Sequence, residues 1–141
     1  MDTREESIRK LRERGLRPSE QRIAVYSYLL ENRIHPCAEG IYQALSPQYP
    51  TLSRTTVYNT LKSFEESGLV MRLTIEDGEV RYDVNTIFHA HFKCEHCKSV
   101  TDFFPAGFEE KIPHPGNGYE VSQIRLDFYG TCPACSERKA E

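Results

Sequence analysis

The sequence predicts an α/β (α+β) chain in which an N-terminal winged helix-turn-helix unit is followed by a smaller, strand-rich unit. Three observations lead there. Apolar residues recur at helical spacing through separate stretches that end near Phe64. Asp77-Gly78 then stands between two alternating stretches, MRLTIE and EVRYDV, which is a strong short-range hairpin signal. Helices followed by a hairpin make the winged helix-turn-helix pattern. Beyond residues 84–88 the texture turns to strands that carry histidines and paired cysteines, so the boundary is placed there, dividing 1–84 from 85–141.

Each element has its own justification. SIRKLRERG (7–15) predicts a short helix closed by Gly15. RPSEQRIAVYSYLLEN (17–32) predicts a second, with Ser19 as N-cap and Ile23, Tyr26, Leu29 and Leu30 at helical spacing. HPCAEGIYQALS (35–46) predicts a third, with Ile41 and Leu45 on one face. PQYPTLS is a proline-rich turn. In SRTTVYNTLKSFEESGLV, Ser53 caps a fourth helix whose Val57, Leu61 and Phe64 share a buried stripe. Thr55, Asn59 and Lys62 point the other way, with Tyr58 on the flank. In the second half HAHFKCE, SVTDFF and EVSQIRLDFYGTC read as strands. PAGFEEKIPHPGNG has room for one short helix at most, because Pro113, Pro115 and the glycines interrupt it.

Net charge is −3, which by itself argues against a nucleic-acid binder. Residues 4–22, however, hold seven basic side chains (Arg4, Arg9, Lys10, Arg12, Arg14, Arg17, Arg22) and four acidic ones (Glu5, Glu6, Glu13, Glu20). Such a local basic face serves DNA even on an acidic chain, although a solvated helix surface has the same composition. No apolar run approaches the roughly 20 residues that cross a bilayer. MDTREESIRK lacks the apolar core of a signal peptide, so the expectation is a cytoplasmic protein without a membrane partner. Halves this small bury limited apolar surface, and a metal or a dimer partner is the expected staple.

Cys94-x-x-Cys97 and Cys132-x-x-Cys135 supply that staple. In a reducing compartment paired cysteines more often hold a metal than a disulfide, and four thiolates at tetrahedral geometry suit structural zinc. The pairs are 34 residues apart, so the intervening strands must fold back to unite them. A thioredoxin-like redox centre is the rival, favoured by a CxxC that opens a long helix, which neither pair clearly does here. Cys37 is left over and reads as a small packed residue.

His89 and His91, two apart on a strand, project to one face. With Cys94 and Cys97 so close beyond them, all cannot serve one ion, and a second metal is the simpler reading. His35, Asp83 and Asp102 stand at element ends as further ligands.

At these residues the chain resembles the ferric-uptake-regulator superfamily. The matching stretches are GLRPSEQRIAVYSYL, HPCAEGIYQAL, SRTTVYNTLKSFEESGLV, RYD, HAHFKCEHC, VTDF and RLDFYGTCPAC, nearly the whole chain. The resemblance implies a homodimer with an N-terminal winged-helix DNA-binding domain and a C-terminal α/β dimerisation domain. It implies His35, Asp83, His89, His91 and Asp102 as regulatory iron or manganese ligands, and Cys94, Cys97, Cys132 and Cys135 as structural zinc ligands. Both carboxylates are aspartates, as in the peroxide-sensing branch, whereas the iron-sensing branch usually has glutamates. The branch implies a metal-activated repressor released by hydrogen peroxide, with His35 and His89 as the rings oxidised. Many relatives carry a further metal-binding histidine in the last strand. Here Ser122, Gln123 and Ile124 stand there, so a third metal is not expected, and His114 reads as a loop residue.

For operator DNA, Thr55, Tyr58 and Asn59 are the candidates for base-edge contacts and Arg17, Arg22, Arg54 and Lys62 for phosphates. Tyr58 would otherwise be a packing residue, and Arg22 would otherwise pair with a carboxylate. The rival functions are an iron- or zinc-responsive uptake regulator of the same fold and a CxxC thiol oxidoreductase, which leaves the helix-turn-helix unexplained. A metal-dependent hydrolase at His89 and His91 lacks a general base.

Overall fold

The computed structural model describes residues 2–76, 78–104, 106–121 and 124–140. The chain divides into two compact units, Met1–Thr86 and Ile87–Glu141.

The first unit contains α1 (Thr3–Glu13), α2 (Glu20–Glu31), α3 (Ala38–Leu45), α4 (Arg54–Glu66) and a hairpin of β1 (Met71–Glu76) and β2 (Glu79–Asp83). The apolar pattern places the start of the first helix at Ser7, but α1 begins at Thr3. Asp2 accounts for the extra turn: its carboxylate accepts the Glu5 N–H at 2.7 Å, and Glu5 and Glu6 complement the helix dipole. Ser19 and Ser53 cap α2 and α4 as the sequence predicts. The third helix starts at Ala38 rather than residue 35. Pro36 disfavours helical geometry at His35, whose φ is +56°, and Cys37 becomes the N-cap, its Sγ accepting the Gly40 N–H at 3.3 Å.

α1 and α4 end alike. Gly15 and Gly68 adopt φ of +73° and +77°, and the following N–H groups of Leu16 and Leu69 reach back to the carbonyls of Leu11 and Phe64, both at 2.9 Å. This closure satisfies the last-turn carbonyls and turns the chain sharply. Leu11, Val25, Leu29, Ile41, Val57, Leu61 and Phe64 form the centre of a single apolar core. Tyr26 meets Phe64 edge to face, with ring centroids 5.7 Å apart.

In the hairpin Met71 pairs with Asp83 and Leu73 with Arg81, with an irregularity between Leu73 and Glu76. Gly78 takes φ +77°, while Asp77 of the predicted turn lies outside the described residues.

The second unit is a three-stranded sheet in the order β4-β3-β5, from β3 (Ala90–Cys94), β4 (Val100–Phe103) and β5 (Leu126–Gly130). β3 runs antiparallel to β4 and parallel to β5. A single 3-10 turn, Glu109–Lys111, is the short helix allowed by the proline-rich connection. Two expectations are corrected here. The last strand begins at Leu126, so Glu120, Val121, Ile124 and Arg125 lie outside it, and Ser122 and Gln123 are outside the described residues. The chain also ends in a helix, α5 (Pro133–Ala140), so the second CxxC does open a helix, of eight residues. Pro133 suits the first helical position, where no N–H is needed.

Candidate metal centres and nucleic-acid interface

The cysteine cluster follows from strand register. Parallel pairing sets Cys94 opposite Gly130, and the chain then turns so that Cys132 offers its backbone N–H to Cys94 Sγ at 3.4 Å. The turn after β3 is closed by the Lys98 N–H on the Cys94 carbonyl at 3.0 Å, with Lys98 at φ +65°. Lys93, only 4% exposed, ties the same turn by donating Nζ to the Lys98 carbonyl at 2.7 Å. All four sulfurs then lie within 4.8 Å of one another.

Zn–S bonds of about 2.3 Å at tetrahedral angles put sulfurs roughly 3.8 Å apart. Cys97 Sγ and Cys132 Sγ are separated by 3.8 Å. The donor set therefore fits zinc, and these four residues would hold it. Proton affinities within the cluster are spread widely. Backbone N–H groups, first that of Cys132 and then that of Cys97, pull the Cys94 thiol down to about 5. Hydrogen bonding to Cys132 and then burial push Cys135 up to about 12. Ser99, at 3.1 Å, lowers Cys97. A divalent cation removes the cost of crowding four thiolates, which is why such sites release protons on binding metal.

The histidines and carboxylates form one set in each unit. In the first, the Tyr82 N–H bonds to the Pro36 carbonyl at 3.0 Å and Arg81 donates to the His35 carbonyl at 3.3 Å. This stitching of the α2–α3 connection to β2 brings His35 Nε2 to 3.3 Å from Asp83 Oδ2, with both side chains buried. In the second unit, His91 faces Asp102 across the β3–β4 pair. His89 lies just before β3 rather than within it, yet both rings converge on one oxygen: His89 Nε2 is 3.4 Å and His91 Nε2 3.3 Å from Asp102 Oδ1. Each histidine is 2% exposed.

Neighbouring groups fix these rings. The Ile87 carbonyl lies 2.7 Å from His89 Nδ1, so the proton belongs on Nδ1 and the Nε2 lone pair faces Asp102. Asp127, which the sequence reading missed, sits opposite His91 in the β3–β5 register. Its Oδ1 is 3.5 Å from His91 Nδ1, and Arg125 holds its other oxygen at 3.0 Å. Carboxylates behind ligand imidazoles commonly fix tautomer and raise basicity. The only signal in sequence was the charge of Asp127, two residues after Arg125, within the otherwise uncharged stretch IRLDFYG. The set of each unit fits a divalent cation in chemistry, with imidazole nitrogen and carboxylate oxygen as donors.

The remaining candidates fall on the surface of the first unit. Thr55, Tyr58, Asn59 and Lys62 are exposed along α4, and Tyr58 at 52% is not a packing residue. Arg17 is exposed before α2. Arg22 braces that turn, donating to the Arg17 carbonyl at 3.0 Å rather than to a carboxylate. Arg54 makes a fork of contacts to Glu39. Arg4 and Arg9 are engaged by Glu20 and Glu13, so the basic stretch offers less free charge than its composition implies. Arg72 on β1, which the sequence did not single out, shares a surface cleft with Tyr58, Asn59 and Lys62, and also with Glu65 and Glu66. His114 is an exposed loop residue whose Nδ1 accepts the Gly116 N–H.

The family model described as the ferric uptake regulator family matches residues 13–129. The chain belongs to this family. A relative from Staphylococcus aureus (strain Mu50 / ATCC 700699), named peroxide-responsive repressor PerR, is 40% identical over 136 residues, covering 95% of this chain and 92% of that protein. The structure of PerR from Streptococcus pyogenes, solved as a basis for peroxide sensing and gene regulation, is 34% identical with a TM-score of 0.54. It covers 96% of this chain and 94% of that one. The ferric uptake regulator of Pseudomonas aeruginosa, solved with manganese, is 27% identical with a TM-score of 0.71, covering 90% of this chain and 98% of its own. The family match stops at residue 129, before Cys132 and Cys135, so for that second pair the geometry is the stronger argument. No described helix is long and apolar enough to cross a membrane.

Proposed function

We propose that this family member is a cytoplasmic, metal-dependent, DNA-binding transcriptional repressor that senses hydrogen peroxide through oxidation of a histidine ligand. The observation that carries the reading is the donor chemistry: two carboxylates, Asp83 and Asp102, each set against buried imidazoles. The 40% identity to a protein named peroxide-responsive repressor supports it. His35 with Asp83, and His89 with His91 and Asp102, are each too few to satisfy a first-row cation. In this proposal both sets serve one Fe(II) or Mn(II), which ties the DNA-binding unit to a dimerising unit. Cys94, Cys97, Cys132 and Cys135 hold zinc and keep the second unit folded.

With iron bound, the chemistry supplied is net transfer of one oxygen atom from hydrogen peroxide to an imidazole ring carbon, with water as the other product. The protein's part is to hold His35 and His89 as neutral ligands in a dry setting. Asp83 and the Ile87 carbonyl orient them. A ring that has gained an oxygen is a poorer ligand, so the clamp loosens and the DNA-competent arrangement of a dimer is depopulated. Two recognition helices spaced by a symmetric dimer must match two half-sites on one DNA face.

The test is peptide mass spectrometry after anaerobic loading with Fe(II) or Mn(II) and brief peroxide exposure. A gain of one oxygen on His35 or His89 in the iron-loaded protein alone is expected. Absence of histidine oxidation in protein shown to hold iron would turn the assignment to a reversible metal-uptake regulator.

A further inference from the structure

The first turn of α4 carries an unusual cation. Arg54 is its first residue, and no acidic residue stands in that turn. A positive charge there opposes the helix dipole. Two residues of α3, Glu39 and Tyr42, meet it. Arg54 Nε lies 3.2 and 3.0 Å from the two carboxylate oxygens of Glu39 on α3, and Nη2 lies 3.1 Å from Oε1. Gln43, one turn along α3, donates to the same Glu39 oxygen at 3.0 Å. The guanidinium carbon sits 4.4 Å above the Tyr42 ring. The Arg54 and Glu39 side chains nevertheless remain 57% and 47% exposed.

This arrangement has two consequences. Glu39 occupies the Nε/Nη2 side of the guanidinium and leaves the Nη1/Nη2 end for an outside acceptor. It also neutralises the cation at contact distance. A phosphate approaching Arg54 would meet a carboxylate beside it, and Coulomb attraction would be largely cancelled. A neutral base edge would lose little, because directional donation from a planar fork does not need net charge. The N-terminal residues of a recognition helix are also those that meet base edges in the major groove, and Arg against guanine O6 and N7 is the commonest specific contact there.

We propose that Arg54, held by Glu39 and stacked on Tyr42, reads a guanine in the operator rather than a phosphate, with Glu39 as its positioning residue. This replaces the phosphate role expected for Arg54 from sequence and rests on the DNA-binding reading above.

The test is selection from a randomised duplex pool by the full-length, zinc-containing, Mn(II)-loaded protein, followed by affinity and salt-slope measurements on the selected duplex. Wild type should select a motif with an invariant guanine in each half-site. Arg54→Ala should lose that preference, with discrimination at that position falling roughly 5- to 100-fold and the salt slope unchanged. Glu39→Gln should keep the guanine preference weakly and steepen the salt slope, as the released cation gains phosphate attraction. If Arg54→Ala instead weakens all duplexes equally and lowers the salt slope by about one, Arg54 is a phosphate contact and the proposal fails. If the variant selects the same motif with unchanged affinity, Arg54 is only a brace between α3 and α4, and the proposal fails equally. A wild-type protein that selects no motif would instead overturn the DNA-binding reading itself.

Discussion

The two units are held together by different physics. The first buries Leu11, Val25, Ile41, Val57, Leu61, Phe64 and Leu73 completely, in a core that draws on every helix and the hairpin. In the second, the buried apolar residues among those described are Ala90, Cys94 and Cys135, while Phe104, Phe128 and Tyr129 remain exposed. Two of those three buried residues are themselves members of the thiol cluster. A core that small cannot offset the entropy of ordering the chain. The first unit is therefore held by apolar burial, and the second needs a staple of the kind its thiol cluster supplies with zinc. The ligand sets inherit this difference. His35 and Asp83 are placed by backbone bonds that brace a firm core, whereas His89, His91 and Asp102 are placed by and beside a sheet whose central strand ends in the thiol cluster.

Three substitutions would break or sharpen this contrast, in order of expected effect. Cys132→Ser removes a zinc ligand, and structural zinc contributes on the order of 10 kcal/mol to small metal-stapled units. The second unit should unfold and the dimer dissociate, while helical circular dichroism of the first persists; sedimentation and zinc content check this. Phe64→Ala opens a cavity in the first core and should cost roughly 3–5 kcal/mol. Its denaturation midpoint should fall with zinc still at full occupancy, the reverse of the cysteine variant. Asp127→Asn leaves both supports in place, loosens the hold on His91 and weakens the contact with Arg125. Mn(II) affinity should weaken about 10- to 100-fold, read by competition with a fluorescent chelator, with the melting profile of the zinc protein unchanged.

Much of this was legible because the signals are local. Val57, Leu61 and Phe64 mark the buried stripe of α4 by spacing alone, and Ser53 announces its start. The cysteine pairs declare a metal by their own spacing. What stayed hidden depended on context. The start of α1 was missed because Asp2 acts through one hydrogen bond to Glu5 and adds nothing to the apolar pattern. α5 was missed because PACSERKA carries no apolar stripe, and its helix is organised around Cys132 and Cys135. Asp127 gains meaning only once parallel pairing sets it beside His91. Arg54 looked like free positive charge until Glu39, fifteen residues earlier, was found against it.

The claim on which the functional account turns is that the two ligand sets serve one ion. It is tested most directly by titrating Mn(II) into the zinc-loaded protein and following free Mn(II) by electron paramagnetic resonance, for wild type, His35→Ala and His91→Ala. The account predicts one tightly bound Mn(II) per protomer in wild type and its loss in both variants, although the substituted residues belong to different units. Two bound ions in wild type, or tight binding retained by either variant, would contradict it.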